Sequence, residues 1–254
     1  MLVEDLFSLP KKRKKSLLFG VEIELEFPKG YPSEVPKGFK KVPDGSLRRG
    51  IEYVSERPYT LNTTLKNVEE AYEYLKDYAE ISDRCSTHIH MDVRDFNMYQ
   101  LASLLLIYHF YEESFLELVS EERRNNKYCI STKTSPSFLG VKFDVIKGRA
   151  IASHSFRYSA LNVNDPIRKF GSVEFRSLQG TVDIKVFSNW IKLINDLGII
   201  SKKFHTKKHF YTLYNMISVR PERFFYNNFE IKLNKCYNSQ TLKHAYSLIE
   251  LGYL

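Results

Sequence analysis

Between Leu17 and Phe27 the chain reads LLFGVEIELEF, in which Val21, Ile23, Leu25 and Phe27 alternate strictly with Glu22, Glu24 and Glu26. Successive side chains of a strand point to opposite faces, so this segment is a strand with one apolar face and one carboxylate face. The apolar face must be covered, and helices laid on one side of a sheet are the natural cover. The three carboxylates share the other side, about 7 Å from one to the next. On a solvated edge their repulsion is screened. In a concave site it would raise their pKa values unless cations compensate. A solvated polar face and a cation-holding face are both open at this point.

The remaining pattern supplies more strands and the helices. Residues 28–50 are rich in Pro, Gly and Lys and read as a loop ending in VPDGSL (Val42–Leu47), whose Asp-Gly pair signals a hairpin. Ile51–Val54 is the returning strand. From Thr63, Leu65, Val68, Tyr72, Leu75 and Ala79 recur at helical spacing, and the helix is expected to stop near Ser82. CSTHIHMDV (Cys85–Val93) alternates again and places His88 and His90 on one face of a second strand. Asn97 opens a helix whose stripe is Leu101, Leu104, Leu105, Tyr108, Phe115 and Leu118. Residues 125–153 read as loop with short strands. Phe156–Val163 and Ser172–Leu178 read as strands, the second carrying Glu174 and Arg176 on one face. Asp183 caps a helix running through Trp190, Ile194 and Leu197 to Gly198, and further helices are expected at His205–Ser218 and Ser239–Leu251. Strand pairs bracketing helices predict an α+β fold around a mainly antiparallel sheet.

With 254 residues, 43% of them hydrophobic, the chain has the composition of a folded globular protein with one sizeable domain. Its densest apolar stretch, Leu101–Tyr111, is too short for roughly 30 Å of hydrocarbon, which excludes a membrane span. The start, MLVEDLFSLPKKRKK, lacks the pattern of a secretory signal. Three scattered cysteines, Cys85, Cys129 and Cys236, offer neither a disulfide framework nor a CxxC zinc site, and a reducing cytoplasmic compartment fits. The net charge of +8 favours anionic partners: nucleotides, phosphorylated substrates or nucleic acid. Part of it lies in Lys11–Lys15, which reads as a solvated flank or, as PKKRKK, as a nuclear-localisation or phosphate-binding run. A nucleic-acid-binding module is therefore a second reading. No RNP-like, helix-turn-helix or zinc-finger pattern supports it.

Three groups of residues carry chemistry. The HxH pair of His88 and His90 can ligate a metal or serve as hydrogen-bonded core histidines. In company with carboxylates it suits magnesium or manganese better than zinc. RYSALN (157–162) and VEFRSLQGT (173–181) bring Arg157, Arg176 and Glu174 to neighbouring strands, where arginine forks match phosphate oxygens or form a cross-strand ion-pair network. No G-x-x-x-x-G-K-[ST] loop and no G-x-G-x-x-G turn occurs, so kinase, P-loop and Rossmann readings fall away. Metal-dependent hydrolysis with Glu22, His88 and His90 activating water remains a third reading.

In order, FGVEIELEF, PDGSLRRGIEYVS, THIHMDV, FRYSALN and VEFRSLQGT resemble the amidoligase family, carboxylate-amine ligases with a fold related to glutamine synthetase and glutamate-cysteine ligase. The resemblance runs from about Phe19 to Thr181, and nothing after roughly Leu197 matches a motif. It implies a glutamine synthetase-like active site on the concave face of a curved antiparallel sheet, holding ATP and divalent cations, Mg2+ or Mn2+. Glu22 and Glu24 match paired strand glutamates that bind different metal ions. Glu52 matches a further metal-binding glutamate, and His88 and Glu174 the ligands completing the second metal site. His90 would lie near the nucleotide phosphates. Arg157 and Arg176 match arginines that neutralise the transferring phosphoryl group or hold the acid substrate, and Ser46 and Asn162 match substrate-binding positions. Glu26 faces the same side as a candidate base. The chain departs from its relatives at Ser86-Thr87, where a glycine is common, and at Glu56-Arg57, where an apolar or proline-rich segment is common. The expected organisation is a basic segment 1–18, a catalytic domain 19–200 and a helical extension 201–254. The expected partners are a carboxylate and an amine, peptide or protein among them.

Overall fold

The computed structural model describes residues 1–13, 16–124, 126–134, 158–163, 165–230 and 242–243. Six strands, β1 Phe19–Glu26, β2 Phe39–Val42, β3 Gly50–Ser55, β4 Ser86–Asp92, β5 Leu161–Asn162 and β6 Ser172–Gln179, form one open sheet in the order β2-β3-β1-β4-β6-β5. Every neighbouring pair is antiparallel. The α+β class follows directly. The alternating strand β1 sits in the middle of the sheet, and its apolar residues Val21, Ile23 and Leu25 are fully buried. β2, inside the stretch read as loop, pairs with β3 across the VPDGSL turn.

Helices cover the apolar face. α2 (Leu61–Leu75), α3 (Met98–Leu116) and α6 (Ile184–Lys202) pack on one another and on the sheet, with α4 (Glu121–Arg124) against β6. Tyr108 of α3 meets Phe175 of β6 edge-on at 5.5 Å, and Tyr72 of α2 meets Phe187 of α6 at 6.0 Å. α3 is buried on almost every side, because the sheet lies on one flank and α7 (Lys207–Val219) and α8 (Pro221–Phe229) on another. Asn97 caps α3 through a capping box with Gln100, as the sequence predicts. α2 ends earlier than the apolar spacing suggested, at Leu75.

The stop expected at Gly198 does not occur, and α6 runs on to Lys202. A Cβ at position 198 would come within 2.6 Å of Met91 Sδ and 2.7 Å of Leu17 Cδ1. The glycine is there to let the helix approach β4, not to end it. Four helices among the described residues were not expected from the sequence: α1 (Val3–Leu6), α4, α5 (Asp165–Phe170) and α8. Of the strand expected at 156–163, only β5 is formed within the described residues, and the helix expected at 239–251 lies outside them apart from 242–243.

Within the described part of the basic run Lys11 and Arg13 are exposed, as a solvated flank would be, but Lys12 is not. The Lys12 side chain is 1% exposed and donates to Asp95 at 2.8 Å and to the Asp92 carbonyl at 3.3 Å. Its backbone N–H donates to Glu4 at 2.7 Å. Lys14 and Lys15 lie outside the described residues. Near the other end, Tyr111 of α3 donates its hydroxyl to the Pro221 carbonyl at 2.8 Å and stacks on Phe224 and Phe225 of α8. No helix among the described residues is long and apolar enough to cross a membrane.

Candidate active site

The face of the sheet turned away from the helices carries the chemistry, and strand register decides which residues meet there. Residues directly opposite across an antiparallel pair share a face. Glu22 stands opposite His88, Glu24 opposite Glu52, His90 opposite Glu174 and Asn162 opposite Glu174. Seven residues from five strands thus gather on one surface. Between β4 and β6 the register shifts by one, so that Arg176 and Ser177 together oppose His88. This bulge keeps Arg176 on the site face and turns Ser177 toward Tyr108 of α3, at 3.2 Å.

The contacts are dense. His88 Nδ1 lies 3.2 Å from Glu22 Oε2 and 3.4 Å from Glu174 Oε1, and its Nε2 lies 2.8 Å from Ser86 Oγ. His90 Nε2 lies 3.1 Å from Glu22 Oε1, while its Nδ1 lies 3.2 Å from Ser172 Oγ. Glu174 accepts hydrogen bonds from Asn162 Nδ2 at 2.7 Å and from Arg176 Nη1. Ser86 donates to Glu24, whose other oxygen is 3.9 Å from His88 Nε2. Ser86 therefore braces a site carboxylate.

Burial alone would push the Glu22 carboxyl up, but hydrogen bonds and charge from His88 and His90 outweigh it and hold it well below the usual range. Glu52 has no such partner. Burial, and then the charges of Glu22, Glu24 and Asp44, push it up to about 8. Burial opposes the charge on His90 as well, yet the Glu22 hydrogen bond and the nearby carboxylates raise its pKa. The Arg176 guanidinium, also opposed by burial, is favoured by Glu174 and by the Glu24 and Glu22 charges. The site is over-supplied with carboxylates, which is the condition a divalent cation relieves.

Among the described residues there are two groups of three donors whose ligand atoms lie within 4.8 Å of one another: Glu22, His90 and Glu174, and Glu22, Glu52 and His88. Each offers two carboxylates and one imidazole, and Glu22 belongs to both. Such oxygen-rich sets suit Mn2+ or Mg2+. His90, expected near phosphate, is thus placed with the donors, and Glu24 stands beside them rather than within either group.

A cavity of about 320 Å3 opens over Glu22, Glu24, Glu52, Ser86, His88 and Arg176. Asp44 and Ser46 reach it from the β2–β3 turn and Asp83 and Arg84 from the connection into β4, with Arg123, Lys127, Tyr128 and Tyr158 on the β6 side. Ser46 is exposed at its edge, and its carbonyl accepts from Arg84 at 3.0 Å. Asn162 does not line the cavity; it holds Glu174. Glu26 does not line it either, and its Oε1 accepts the Arg48 N–H at 2.9 Å. Arg157 lies outside the described residues. Asp44, Asp83, Arg84, Arg123 and Lys127 were not singled out from the sequence as site residues, and their charged, loop-like surroundings carry no periodic signal that would mark them.

A family model described as "putative amidoligase enzyme" matches residues 38–197. The chain belongs to the amidoligase family. The matched span holds β2 to β6 and most of α6, with Glu52, His88, His90, Glu174 and Arg176 inside it. β1 precedes the span, and its pairing with both β3 and β4 inserts Glu22 and Glu24 among the amidoligase residues. A search of curated proteins finds no match. Family membership makes the protein an enzyme of the ligase kind, one that forms amide bonds between a carboxylate and an amine.

Proposed function

We propose that the protein is an ATP-dependent carboxylate-amine ligase of the cytoplasm, with a catalytic fold related to glutamine synthetase, working through an acyl phosphate. The observation that carries this reading is Glu22. One carboxylate shared by two donor groups, beside an arginine in a cavity, is an arrangement suited to holding two cations that, with the arginine, would neutralise polyphosphate. Glu22, Glu52 and His88 would hold one divalent ion, and Glu22, His90 and Glu174 another. Bound there, the ions would supply charge neutralisation for the phosphates.

A carboxylate is a poor acylating agent, so its oxygen first attacks the γ-phosphorus of ATP and the bond to ADP breaks. Arg176, anchored by Glu174, faces the site and balances negative charge on the transferring group. The amine nitrogen then attacks the acyl carbon, phosphate leaves, and the amine loses a proton to a carboxylate of the site. On the family resemblance Arg157 is assigned to the transferring phosphoryl group or the acid substrate and Ser46 to substrate binding, and Asn162, also matched to a substrate-binding position, holds Glu174.

Thermal stability with Mg2+ or Mn2+ and ATP tests the reading on the wild type, Glu22→Gln and Glu174→Gln. Ligand at about 100 times its dissociation constant stabilises by roughly 2.7 kcal/mol. The wild type shifts only with metal and nucleotide together, Glu22→Gln loses the shift, and ADP release then reports acids and amines that turn over. A shift with zinc that ignores nucleotide would favour the hydrolase.

A further inference from the structure

Arg123 is a second arginine of the cavity, and its circumstances differ from those of Arg176. It is 4% exposed, on α4 immediately before the segment that carries Lys127 and Tyr128. A guanidinium has five N–H donors. Arg123 Nη2 gives one to the Arg176 carbonyl at 2.7 Å, and its Nε, like that of Arg176, is buried with no hydrogen-bond partner. Among the described residues no carboxylate stands within ion-pair range of it, whereas Arg176 has Glu174. The neighbouring Cys129 side chain hydrogen-bonds Arg123 but is no counter-ion, because burial pushes the thiol pKa up and keeps it neutral, and the Glu24 charge that favours the guanidinium lies beyond ion-pair range. A buried cation without a counter-ion is unfavourable, and such a group is satisfied when an anion arrives.

The walls of the cavity differ in charge. Arg123, Lys127 and Arg176 come from the β6 side, while Glu52 and Asp44 come from β3 and the β2–β3 turn at the other side of the strand order, where Arg84, the one lining cation among the described residues, is engaged with the Ser46 carbonyl at 3.0 Å. A ligand carrying both an ammonium and a carboxylate fits such a cavity in one orientation, amine toward β3 and carboxylate toward Arg123. We propose that Arg123 binds the carboxylate of the amine substrate, which is therefore an amino acid or a peptide with a free carboxylate, and not ammonia or a simple alkylamine. The assignment of the ligand as the amine substrate rests on the ligase reading; the oxyanion subsite at Arg123 does not.

The test uses the full chain with Mn2+ and ATP, to which common amino acids and short peptides are added in a calorimeter, each compared with its carboxamide, and inorganic phosphate as the other oxyanion. At least one amino acid or peptide binds the wild type and its carboxamide binds more weakly. Arg123→Met weakens that binding roughly tenfold to a hundredfold, the range for a lost hydrogen bond to a charged group. Its Mn2+ and ATP response is kept, and its ligand-free melting temperature is no lower than that of the wild type, an outcome a purely structural arginine would not give. Arg123→Lys, which keeps the charge and loses the fork, recovers part of the affinity and carries the test if the methionine variant does not fold. Binding unaffected by either variant, or loss of the ATP or phosphate response in place of the amino-acid response, overturns the assignment. If ATP and metal bind the wild type and no amino acid or peptide does, this proposal fails and the ligase reading stands. If the Arg123-dependent binding is seen without any metal and nucleotide response, the ligase reading fails and the subsite stands.

Discussion

Replacing Glu52 by Gln removes one of the carboxylates that crowd the site while keeping its shape, and its effect should reverse with metal. In the unfolded chain a glutamate loses its proton near 4.5, whereas in the fold Glu52 keeps it until about pH 8, because of burial first and then the charges of Glu22, Glu24 and Asp44. Between those values the folded state binds the extra proton, so the metal-free wild type loses stability as pH rises, and the loss is complete above about pH 8. At about 1.4 kcal/mol for each tenfold change in acidity the full displacement would be worth somewhat under 5 kcal/mol. Glu52 keeps contact with solvent, and screening reduces the expected effect to about 1–2 kcal/mol. For a chain of this size that corresponds to a rise in melting temperature of roughly 2–8 °C. Melting curves in a chelator at several pH values should therefore show Glu52→Gln above the wild type, with the gap widening from acid pH and levelling off beyond about pH 8. With Mn2+ the order should invert, since the wild type gains from a donor group that the variant has lost. A variant that melts at or below the wild type in chelator at high pH would refute the reasoning.

Three further changes test the frame around the site. Gly180→Ala would put a Cβ within 2.3 Å of Cys85 Cβ and 2.9 Å of the Cys85 carbonyl carbon, so denaturant unfolding should show a loss of about 1–3 kcal/mol, with weaker Mn2+ binding because Ser86 follows. Phe225→Ala should cost about 3–5 kcal/mol in the same assay, since its ring fills the contact between Tyr111, Phe115 and Phe229. Lys12→Met removes a buried cation, but Arg94 still pairs with Asp92 and Lys202 with Asp95, so the cost should be nearer 1–2 kcal/mol than the roughly 3–5 kcal/mol of an orphaned buried charge. A loss as large as the latter would mean that Lys12 alone compensates those carboxylates.

The legible part of the fold was the part in which local pattern and burial agree. β1 alternates because one face packs on helices and the other holds the site, so its sequence reports both, and the α3 stripe with Asn97 before it is equally direct. β2 was missed because FKKV is short and lies at the sheet edge, where only one neighbour constrains it. Gly198 was misread because glycine serves two ends: it can stop a helix, or it can let one come close to a strand. Only the distance to Met91 distinguishes them.

The site was legible for a related reason and incomplete for another. Alternation put Glu22 with Glu24 and His88 with His90, but alternation within a strand cannot say which strands are neighbours. The order β3-β1-β4-β6 makes Glu22 the common member of both donor groups, and that is a property of register. The bulge opposite His88 carries the point further. It lets Arg176 face the site while Ser177 turns to Tyr108, and the carbonyl of Arg176 is where Arg123 docks. An arginine in the run EERR looks like an exposed helical turn from sequence. It is buried against the carbonyl of a residue 53 positions away, beside a one-residue slip between two strands, which is why an arginine with no carboxylate partner among the described residues could be found only in three dimensions.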